Sequence, residues 1–252
     1  MNIKVMTFNL RTPVKNDGVN YFPNREENIL AAIESENPDL IGFQEAADYS
    51  RAFLKRSLSD YVVIGCGRNK DYTGEACCIA FKKEKFDLIS YKTQWLSTSP
   101  NISGSRFEGS DQSPYPRLFV HAELALGEEG KRLHFYNTHL DHKGDVAKLL
   151  GMTQIMQSIS ECDAPFVLTG DMNSNTDSAA TQLPLMIETK QIKDATASVE
   201  YSFHDFGKTE FGGKIDYIYT DLPFMDTYVV EDKHENGIYI SDHYLICTTV
   251  MI

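Results

Sequence analysis

Short apolar runs alternate with amphipathic stretches along most of the chain. Apolar residues that alternate with polar ones, or form runs of four to eight, predict β-strands, because side chains two apart line one face of a sheet. The predicted strands are residues 3–10, 39–43, 61–65, 76–81, 86–91, 118–126 and 133–140, then the buried run at 166–168 and a closing strand after residue 244. Their alternation with helical stretches predicts an α/β protein.

Two stretches have the spacing of helices. The first begins in a pattern that resembles a capping box, with Asn24 in place of Ser or Thr and Glu27 at its third position, and Pro38 ends it. The second covers Asp145–Ser160. Its apolar stripe is predicted to face the core rather than a cofactor, and consists of Leu149, Met152, Met156 and Ile159.

Two of the connecting segments are informative. Residues 128–131 are predicted to form a hairpin turn. Residues 98–116 are rich in Ser, Gly and Pro and form the longest irregular segment of the chain. A loop of that length in a compact domain is usually functional or disordered.

Composition and charge narrow the class of protein. The chain has 252 residues, 42% of them hydrophobic and 24% charged, and we find neither an internal repeat nor a composition shift, so residues 1–252 are predicted to form a single domain. Five cysteines without a C-x-x-C pair argue against a disulfide framework. The absence of a signal-peptide pattern and of a long apolar run then predicts a cytoplasmic protein with no membrane association. The net charge of −12 disfavours binding to long nucleic acid, which needs a basic face.

Polar residues recur where predicted strands end. Taken singly, each has a structural explanation. Asn9 could be a turn residue, and Glu45 could be a solvated residue at the end of its strand. Asp171 and Asn173 could form an Asx-type turn after the buried run at 166–168. Taken together they favour a site, because ligands of α/β folds bind at strand ends. The set is Asn9, Glu45, His139, Asp171, Asn173, Asp216, Asp242 and His243.

The residue types in this set indicate its chemistry. Carboxylate and amide oxygens with histidines, and no cysteine, suit Mg²⁺ or Mn²⁺. The histidines are too scattered for a zinc H-E-x-x-H or three-histidine pattern. A Ser-His-Asp hydrolase is poorly supported, because there is no G-x-S-x-G and Ser241 directly precedes Asp242 and His243 in the sequence. No P-loop or dinucleotide fingerprint is present.

Six short motifs occur in an order that resembles the endonuclease/exonuclease/phosphatase superfamily. They run from residue 7 to residue 243 and are T-F-N-L (7–10), Q-E (44–45), N-T-H-L-D (137–141), G-D-M-N (170–173), I-D-Y-I (215–218) and S-D-H (241–243). W-L-S, P-R and S-F-H resemble small bacterial members, which are similar to the nocturnin and carbon-catabolite-repressor deadenylase branch. There the last motif usually continues as T-F-H-G-F, whereas Asp205 takes the glycine's place here.

The resemblance implies a fold and an activity. The implied fold is an α/β four-layer sandwich, in which two mixed β-sheets lie face to face and helices flank them. Strand–helix alternation alone is also compatible with one doubly wound sheet. The implied activity is Mg²⁺- or Mn²⁺-dependent hydrolysis of a phosphate ester.

Given this resemblance, each site residue has an expected role. Glu45, assisted by Asn9, holds the metal ion, which neutralises charge on a phosphate oxygen. Asp171 and Asn173 position the attacking water and the phosphate. The predicted phosphate contacts are Arg117 and His204.

The remaining residues are expected to act on protons and developing charge. His243 is a general base or a transition-state donor, oriented by Asp242. His139 donates to a non-bridging oxygen. Asp216 either orients His139 or contacts a second ion. Whether Asp171 or His243 takes the proton from water stays open.

The sequence indicates the type of reaction more narrowly than it indicates the substrate. A small phosphoester or a short single-stranded nucleic acid fits a charge of −12 better than duplex DNA does. The alternatives are a phosphomonoesterase acting on a sugar or inositol phosphate, a non-catalytic module that binds a phosphate ligand on the same fold, and a metal-free esterase. No obligate protein partner is evident.

Overall fold

Two β-sheets form the middle of the fold. The computed structural model describes residues 1–127, 130–209, 212–232 and 237–252. The strands of the first sheet are β1 (Asn2–Asn9), β2 (Leu40–Ala46), β3 (Tyr61–Ile64), β4 (Ala76–Lys82), β11 (Phe224–Val229) and β12 (Ile246–Met251). The strands of the second are β5 (Phe86–Trp95), β6 (Leu118–Leu126), β7 (Lys131–His139), β8 (Phe166–Asp171), β9 (Lys193–Asp194) and β10 (Asp216–Thr220).

Both sheets are mixed. The first has the order β11-β12-β1-β2-β4-β3 and the second β5-β6-β7-β8-β10-β9. In each sheet the two middle strands run parallel, β1 with β2 and β7 with β8, and the other pairs are antiparallel. The carboxyl ends of these parallel pairs carry four of the predicted site residues, Asn9, Glu45, His139 and Asp171.

Helices cover the outer faces of both sheets. They are α1 (Phe22–Glu36), α2 (Asp48–Ser57), α3 (Asp145–Ser160) and α4 (Ala179–Gln182). α1 and α2 share a buried cluster with the outer face of the first sheet, and α3 and α4 share one with the second. A third cluster lies between the sheets and includes Val5, Leu40, Val120, Phe135 and Val167. Burying each such side chain contributes about 1.5–3 kcal/mol. The four-layer sandwich is therefore confirmed, and the single doubly wound sheet is excluded.

Most predicted elements are present, with differences at their ends. α1 begins at Phe22 rather than at the capping-box Asn24, because Pro23 fits the first turn, where no backbone N–H is needed. The amide Nδ2 of Asn24 donates instead to the Val19 carbonyl at 3.1 Å. α3 has its predicted bounds, and residues 98–116 form no helix or strand. The turn predicted at 128–131 falls partly on residues 128 and 129, which lie outside the described residues.

The sequence patterns missed α2. This helix has ten residues, and its buried positions are only Ser50, Phe53 and Leu54. Two apolar residues are too few to produce a helical stripe that stands out from a loop.

A buried polar cluster joins the two sheets just below the strand ends. Gln44 Nε2 donates to Asn137 Oδ1 at 2.7 Å, and Thr169 Oγ1 donates to the same oxygen at 3.1 Å. Asn137 Nδ2 donates to the carbonyls of Phe43 and Cys78 at 2.7 and 2.9 Å. Because buried polar groups are costly when unpaired, this cluster fixes how the sheets face each other beneath the site.

The close approach of the sheets depends on a glycine. A Cβ at Gly42 would lie 1.9 Å from Thr169 Oγ1 and 2.7 Å from Asn137 Oδ1. We expect Gly42→Ala to lower the free energy of unfolding by about 1–3 kcal/mol through overpacking, measured by denaturant titration. Gly151→Ala in α3 is the control: its Cβ would meet the flexible Leu96 side chain at 3.0 Å, so a change within about 1 kcal/mol is expected. Equal stability of Gly42→Ala and wild type would contradict this packing.

Candidate active site

The ends of the central strands open into a cleft of about 550 Å³. His139, Asp171 and Asp216 stand side by side there, because β7, β8 and β10 pair in that register. β1 and β2 bring Asn9 and Glu45 to the same place from the first sheet. Strand pairing therefore gathers residues that are far apart in the sequence.

Asn9 connects the carboxylates of the two sheets. Its Nδ2 donates to Asp171 Oδ2 at 2.9 Å and to Glu45 Oε1 at 3.4 Å. Its Oδ1 accepts from the backbone N–H of Arg11 at 2.9 Å. The Thr12 N–H donates to the other oxygen of Glu45 at 2.7 Å. Asn9 therefore positions Glu45 and Asp171, and its predicted role as a metal ligand stays a prediction.

Asp171 lies at the centre of the cleft floor. Its Oδ1 accepts from the Asn173 N–H at 2.8 Å, and its Oδ2 lies 3.5 Å from His139 Nε2 and 3.9 Å from His243 Nε2. Asn173 Nδ2 donates to His139 Nε2 at 2.8 Å and to the Leu140 carbonyl at 3.1 Å. Burial first, and then the positive charge of Arg117, lower the pKa of His139. His139 is therefore a neutral imidazole whose Nε2 accepts from Asn173, and its predicted donation to a phosphate oxygen stays a prediction.

The partner of His243 is Asp216. His243 Nδ1 lies 2.8 Å from Asp216 Oδ2, and both residues are buried. Asp242 Oδ1 lies 4.0 Å from His243 Nε2, and Asp242 Oδ2 lies 3.6 Å from Arg11 Nε. Asp216, rather than the predicted Asp242, therefore orients His243, and it does not orient His139. The alternative that Asp216 contacts a second ion stays a prediction.

This pairing determines the charge of the imidazole. Burial alone would lower the pKa of His243, but the carboxylates of Asp216, Asp242 and Asp171 outweigh burial and raise it to about 10. An imidazole with that pKa is protonated at neutral pH. His243 is then a cationic donor that faces the cleft through Nε2.

We expect the metal-free protein to keep His243 protonated up to about pH 10. Asp216→Asn removes the partner at 2.8 Å and leaves burial, so the pKa of His243 should fall to its ordinary value of about 6.5 or below. NMR titration of the imidazole in the presence of a chelator measures both values. Asp242→Asn is the matched control and should lower the pKa less. A larger fall in Asp242→Asn than in Asp216→Asn would contradict the assigned pairing.

The negative charge of the carboxylates at the cleft floor is only partly balanced by neighbouring cations and hydrogen-bond donors. Burial, and then the charge of Asp216, raise the pKa of Asp171 to about 7. Burial also raises the pKa of Asp242, and Glu45 adds to that rise. Asp216 Oδ1 is buried and has no hydrogen-bond partner among the described residues. Asp171 and Asp216 each offer a carboxylate oxygen within 4.8 Å of the other. These carboxylates suit a divalent cation, which would neutralise them.

One wall of the cleft is cationic. Arg117 is buried, its Nη2 lies 3.1 Å from His142 Nδ1, and its Nε lies 3.8 Å from Asp141 Oδ2. Its Nε has no hydrogen-bond partner in the described part of the chain. Burial first, and then the nearby Arg68, lower the pKa of Arg117. A buried guanidinium with an unsatisfied N–H suits an anion such as phosphate.

The cleft also contains residues that the sequence analysis did not assign to it. They are Arg11, Arg68, Glu75, Tyr115 and His142. Arg11 is two residues after Asn9, but its φ of +54° takes it off the extended line of β1, which ends at Asn9. The others come from loops without a periodic pattern, among them the long segment 98–116.

Backbone strain concentrates at this cleft. Four non-glycine residues of the cleft wall have positive φ angles of 45–56°: Arg11, Glu45, Asn173 and Asp205. Such conformations cost of order 1–3 kcal/mol each and persist where the surrounding structure holds them, typically at functional sites. Strain is therefore a sign of function here that does not depend on residue chemistry.

Residues 6–243 match the sequence model of the Endonuclease/Exonuclease/phosphatase family. The chain belongs to this family. Its members are hydrolytic phosphoesterases, so the protein is an enzyme of that kind.

Solved structures show the same fold over the whole length of the phosphoesterase. An endonuclease/exonuclease/phosphatase from Bacteroides vulgatus is 28% identical, with a TM-score of 0.92 over 100% of this chain and 99% of the other. A mannosyl-6-phosphatase from Bacteroides thetaiotaomicron is 22% identical, with a TM-score of 0.85 over 99% and 100%. The human nocturnin catalytic domain with a bound sulfate is 16% identical, with a TM-score of 0.75 over 99% and 93%. The last two likenesses are likenesses of fold.

One curated relative matches over part of its length. An uncharacterized protein of Acanthamoeba polyphaga mimivirus is 23% identical over 159 residues. The match covers 60% of the phosphoesterase and 59% of that relative.

His204 is not part of the cleft wall. It is 3% exposed, and its ring packs 4.3 Å from that of Tyr244. Its neighbours Phe203 and Asp205 line the cleft instead, and the predicted phosphate contact of His204 stays a prediction. The backbone N–H groups of His204 and Asp205 both donate to the Asp242 carbonyl, at 2.9 and 3.1 Å. This segment therefore holds Asp242 and, through it, His243.

Asp205 occupies the position where the family pattern has glycine. Its φ is +45°, in the left-handed region that favours glycine. Aspartate is among the few residues that tolerate this region. The phosphoesterase therefore keeps the backbone conformation and places a carboxylate at the cleft wall.

A buried arginine holds the two segments that carry Arg11 and Asp242. Arg25 is 0% exposed and donates to the carbonyls of Leu10 at 2.8 Å, Arg11 at 3.0 Å and Ile240 at 2.7 Å. Burial lowers its pKa to about 10, which leaves it charged at neutral pH. Five planar donors make arginine suited to this bridging, which the capping-box interpretation of the sequence did not anticipate.

No helix in the described parts of the phosphoesterase is long and apolar enough to cross a membrane. The predicted cytoplasmic location stays a prediction.

Proposed function

We propose that the protein is a Mg²⁺- or Mn²⁺-dependent hydrolase of small phosphate esters. The observation that carries this proposal is the convergence of two opposite sets of groups in one cleft. Carboxylates with raised pKa values line its floor, and a buried arginine and an imidazolium face the same space. A phosphate bound between a cation and these donors would satisfy both sets.

The metal ion would be held at Glu45, which Asn9 and the Thr12 N–H keep in place. When bound, a hard divalent cation withdraws charge from a phosphate oxygen. The neutral amide of Asn9 holds Glu45 and Asp171 together without adding charge. Removing Asn9 should therefore loosen both carboxylates.

The phosphate would be bound by the cationic side of the cleft. The Arg117 guanidinium offers its unsatisfied Nε–H to one oxygen. His243, charged through its pairing with Asp216, offers Nε2–H to another. Because both charges are already in place before reaction, they stabilise the charge that develops on the phosphoryl oxygens.

The attacking water would be held by Asp171 and Asn173. Asp171 lies between the Nε2 atoms of His139 and His243, at 3.5 and 3.9 Å, so a water there faces a phosphate held by His243. The water oxygen bonds to phosphorus, its proton passes to Asp171, and the bond from phosphorus to the leaving oxygen breaks, with the leaving oxygen taking up a proton from solvent. His139 keeps Asn173 oriented toward that point.

The size and rim of the cleft indicate the class of substrate. A volume of about 550 Å³ is typical of small-molecule sites. At the rim, Tyr115 is half exposed, with the Arg68 guanidinium 4.8 Å from its ring centroid and the His142 ring at 6.0 Å. This platform suits a leaving group with a ring, such as a sugar or a nucleobase.

A second candidate follows from the same platform. Aromatic and guanidinium faces stack nucleobases without sequence preference, so the end of a short single-stranded nucleic acid would also fit. The net charge of −12 argues against a long polyanion track.

The substrate class is tested by turnover of sugar phosphates, nucleoside monophosphates, short single strands and abasic duplex DNA with Mg²⁺ or Mn²⁺. We expect turnover of small esters or short strands, with a shallow dependence on salt. Tyr115→Ala should raise KM for nucleotides more than for an acyclic phosphate ester. Tight and strongly salt-sensitive binding of duplex DNA would contradict the proposed class.

The same assay separates the rival functions. Binding without turnover of any ester would favour a non-catalytic phosphate module, and turnover that survives EDTA would favour a metal-free esterase.

A further inference from the structure

A second cluster of potential ligands lies on the outer face of the second sheet. His121 on β6 and His134 on β7 point away from the core between the sheets, because their neighbours along the strands, such as Val120 and Phe135, point into it. Cys162 follows the end of α3 at Ser160 and reaches the same place. The potential ligand atoms of the three residues lie within 4.8 Å of one another.

The cluster is separate from the catalytic cleft. His134 and His139 lie on the same strand, and the separation of their positions along it is about 17 Å. None of the three cluster residues lines the cleft.

The two histidines are buried and incompletely satisfied. His121 Nε2 and His134 Nδ1 lie 2.9 Å apart, so they share one proton. His134 is 5% exposed, and its Nε2 has no hydrogen-bond partner among the described residues; its nearest polar contact is Asp163 Oδ1 at 3.7 Å. The His121 ring stacks on Tyr136, with centroids 4.1 Å apart and planes at 2°, which fixes its orientation.

The protonation states of the three side chains are compatible with metal binding. Burial first, and then His134, lower the pKa of His121 to about 3, and burial lowers the pKa of His134. Both imidazoles are therefore neutral at physiological pH, with lone pairs available. Burial raises the pKa of the Cys162 thiol, so an ion that binds would displace its proton to solvent.

We propose that His121, His134 and Cys162 form a second metal site, which takes a borderline-soft divalent cation of the Zn²⁺ type. Two imidazoles and a thiolate are ligands for such an ion, whereas the oxygen-rich cleft suits Mg²⁺. Water would take the fourth tetrahedral position, because Asp163 lies against His134 Nε2, on the other side of the ring from Nδ1, and pairs with Arg132 Nη2 at 2.5 Å. Cys162 is half-buried, which gives the ion a route from solvent.

The adjustment needed for binding is small. Tetrahedral zinc distances imply about 3.3 Å between two nitrogen ligands and about 3.5 Å between nitrogen and sulfur. The nitrogens would separate by about 0.4 Å from their present 2.9 Å. Cys162 Sγ would leave its contact with Tyr136 OH at 3.0 Å and turn toward the histidines.

Cobalt is a suitable probe, because Co²⁺ bonded to a thiolate has a charge-transfer band in the near ultraviolet and Mg²⁺ has none. Protein stripped with EDTA is titrated with Co²⁺ in excess Mg²⁺, which occupies the oxygen-rich cleft. We expect a thiolate band that saturates at one equivalent, and a Tm that Zn²⁺ raises by several degrees. Cys162→Ser should lose both effects, and His134→Asn should weaken them at least tenfold.

Cys66→Ser is the matched control, because Cys66 is also half-buried with a raised pKa but is not part of this cluster. It should keep the band and the Tm shift. The metal-free Tm of each variant shows whether it folds, and turnover with Mg²⁺ should be unchanged in Cys162→Ser. No thiolate band in wild type up to millimolar Co²⁺, or an undiminished band in Cys162→Ser, would overturn the proposal.

Discussion

Asp216→Asn should cut turnover by about 10²–10³-fold, as much as His243→Ala, since the loss of one preorganised donor to the developing charge costs about that factor. The two residues meet at 2.8 Å, and the carboxylate keeps the imidazole both oriented and charged. Because they act as a unit, the double variant should be little slower than the slower single one. Turnover at saturating substrate and thermal melts of all three variants measure this.

Asp242 provides the comparison. It lines the cleft, and its backbone carbonyl accepts from two N–H groups, but its Oδ1 lies 4.0 Å from His243 Nε2, beyond hydrogen-bond distance. The loss of turnover in Asp242→Asn should therefore add to the loss in His243→Ala when the two are combined. The pairing would be wrong if Asp242→Asn caused no further loss in the His243→Ala background while Asp216→Asn did.

Glu45→Gln should lower turnover by about 10²–10³-fold and raise the Mg²⁺ concentration needed for half-maximal activity. A bound cation contributes several kcal/mol of charge stabilisation, and each 1.36 kcal/mol is tenfold in rate. Glutamine keeps the size of the side chain and its contact with the Thr12 N–H, so the fold should be unaffected. Rates measured over a series of Mg²⁺ concentrations separate a weaker ion site from a slower reaction.

Glu75→Gln is the control for charge removal. Glu75 lines the same cleft, but its carboxylate pairs with Arg68 at 2.6 Å. This variant should change KM through Arg68 and leave the Mg²⁺ requirement as in wild type. An unchanged Mg²⁺ requirement in Glu45→Gln, or the same shift in Glu75→Gln, would remove Glu45 from the metal site.

The sequence predicted those site residues that are recognisable from the pattern of their own strand. Asn9, Glu45, His139 and Asp171 each end a strand with clear periodicity, and strand ends meet at one edge of a sheet. The six motifs, through their family resemblance, also predicted the second sheet, which periodicity alone did not distinguish from one doubly wound sheet.

The sequence did not predict contacts that depend on how distant segments align with one another. The pairing of His243 with Asp216 spans 27 positions and depends on the register of β10 and on a bridge between Phe203 and His243. Adjacency in the sequence favoured Asp242 instead. Arg25 was missed for a similar reason, because its partners are backbone carbonyls at 10, 11, 20 and 240, which leave no pattern in side chains.

The central claim is that this cleft hydrolyses a phosphate ester with the help of a divalent cation. The most direct test is phosphate release from small esters by protein stripped with EDTA, before and after Mg²⁺ or Mn²⁺ is restored. We predict that release stops in the stripped protein and returns with either ion, and that it stays low in Glu45→Gln at the same ion concentration. Full activity of the stripped protein would contradict the account.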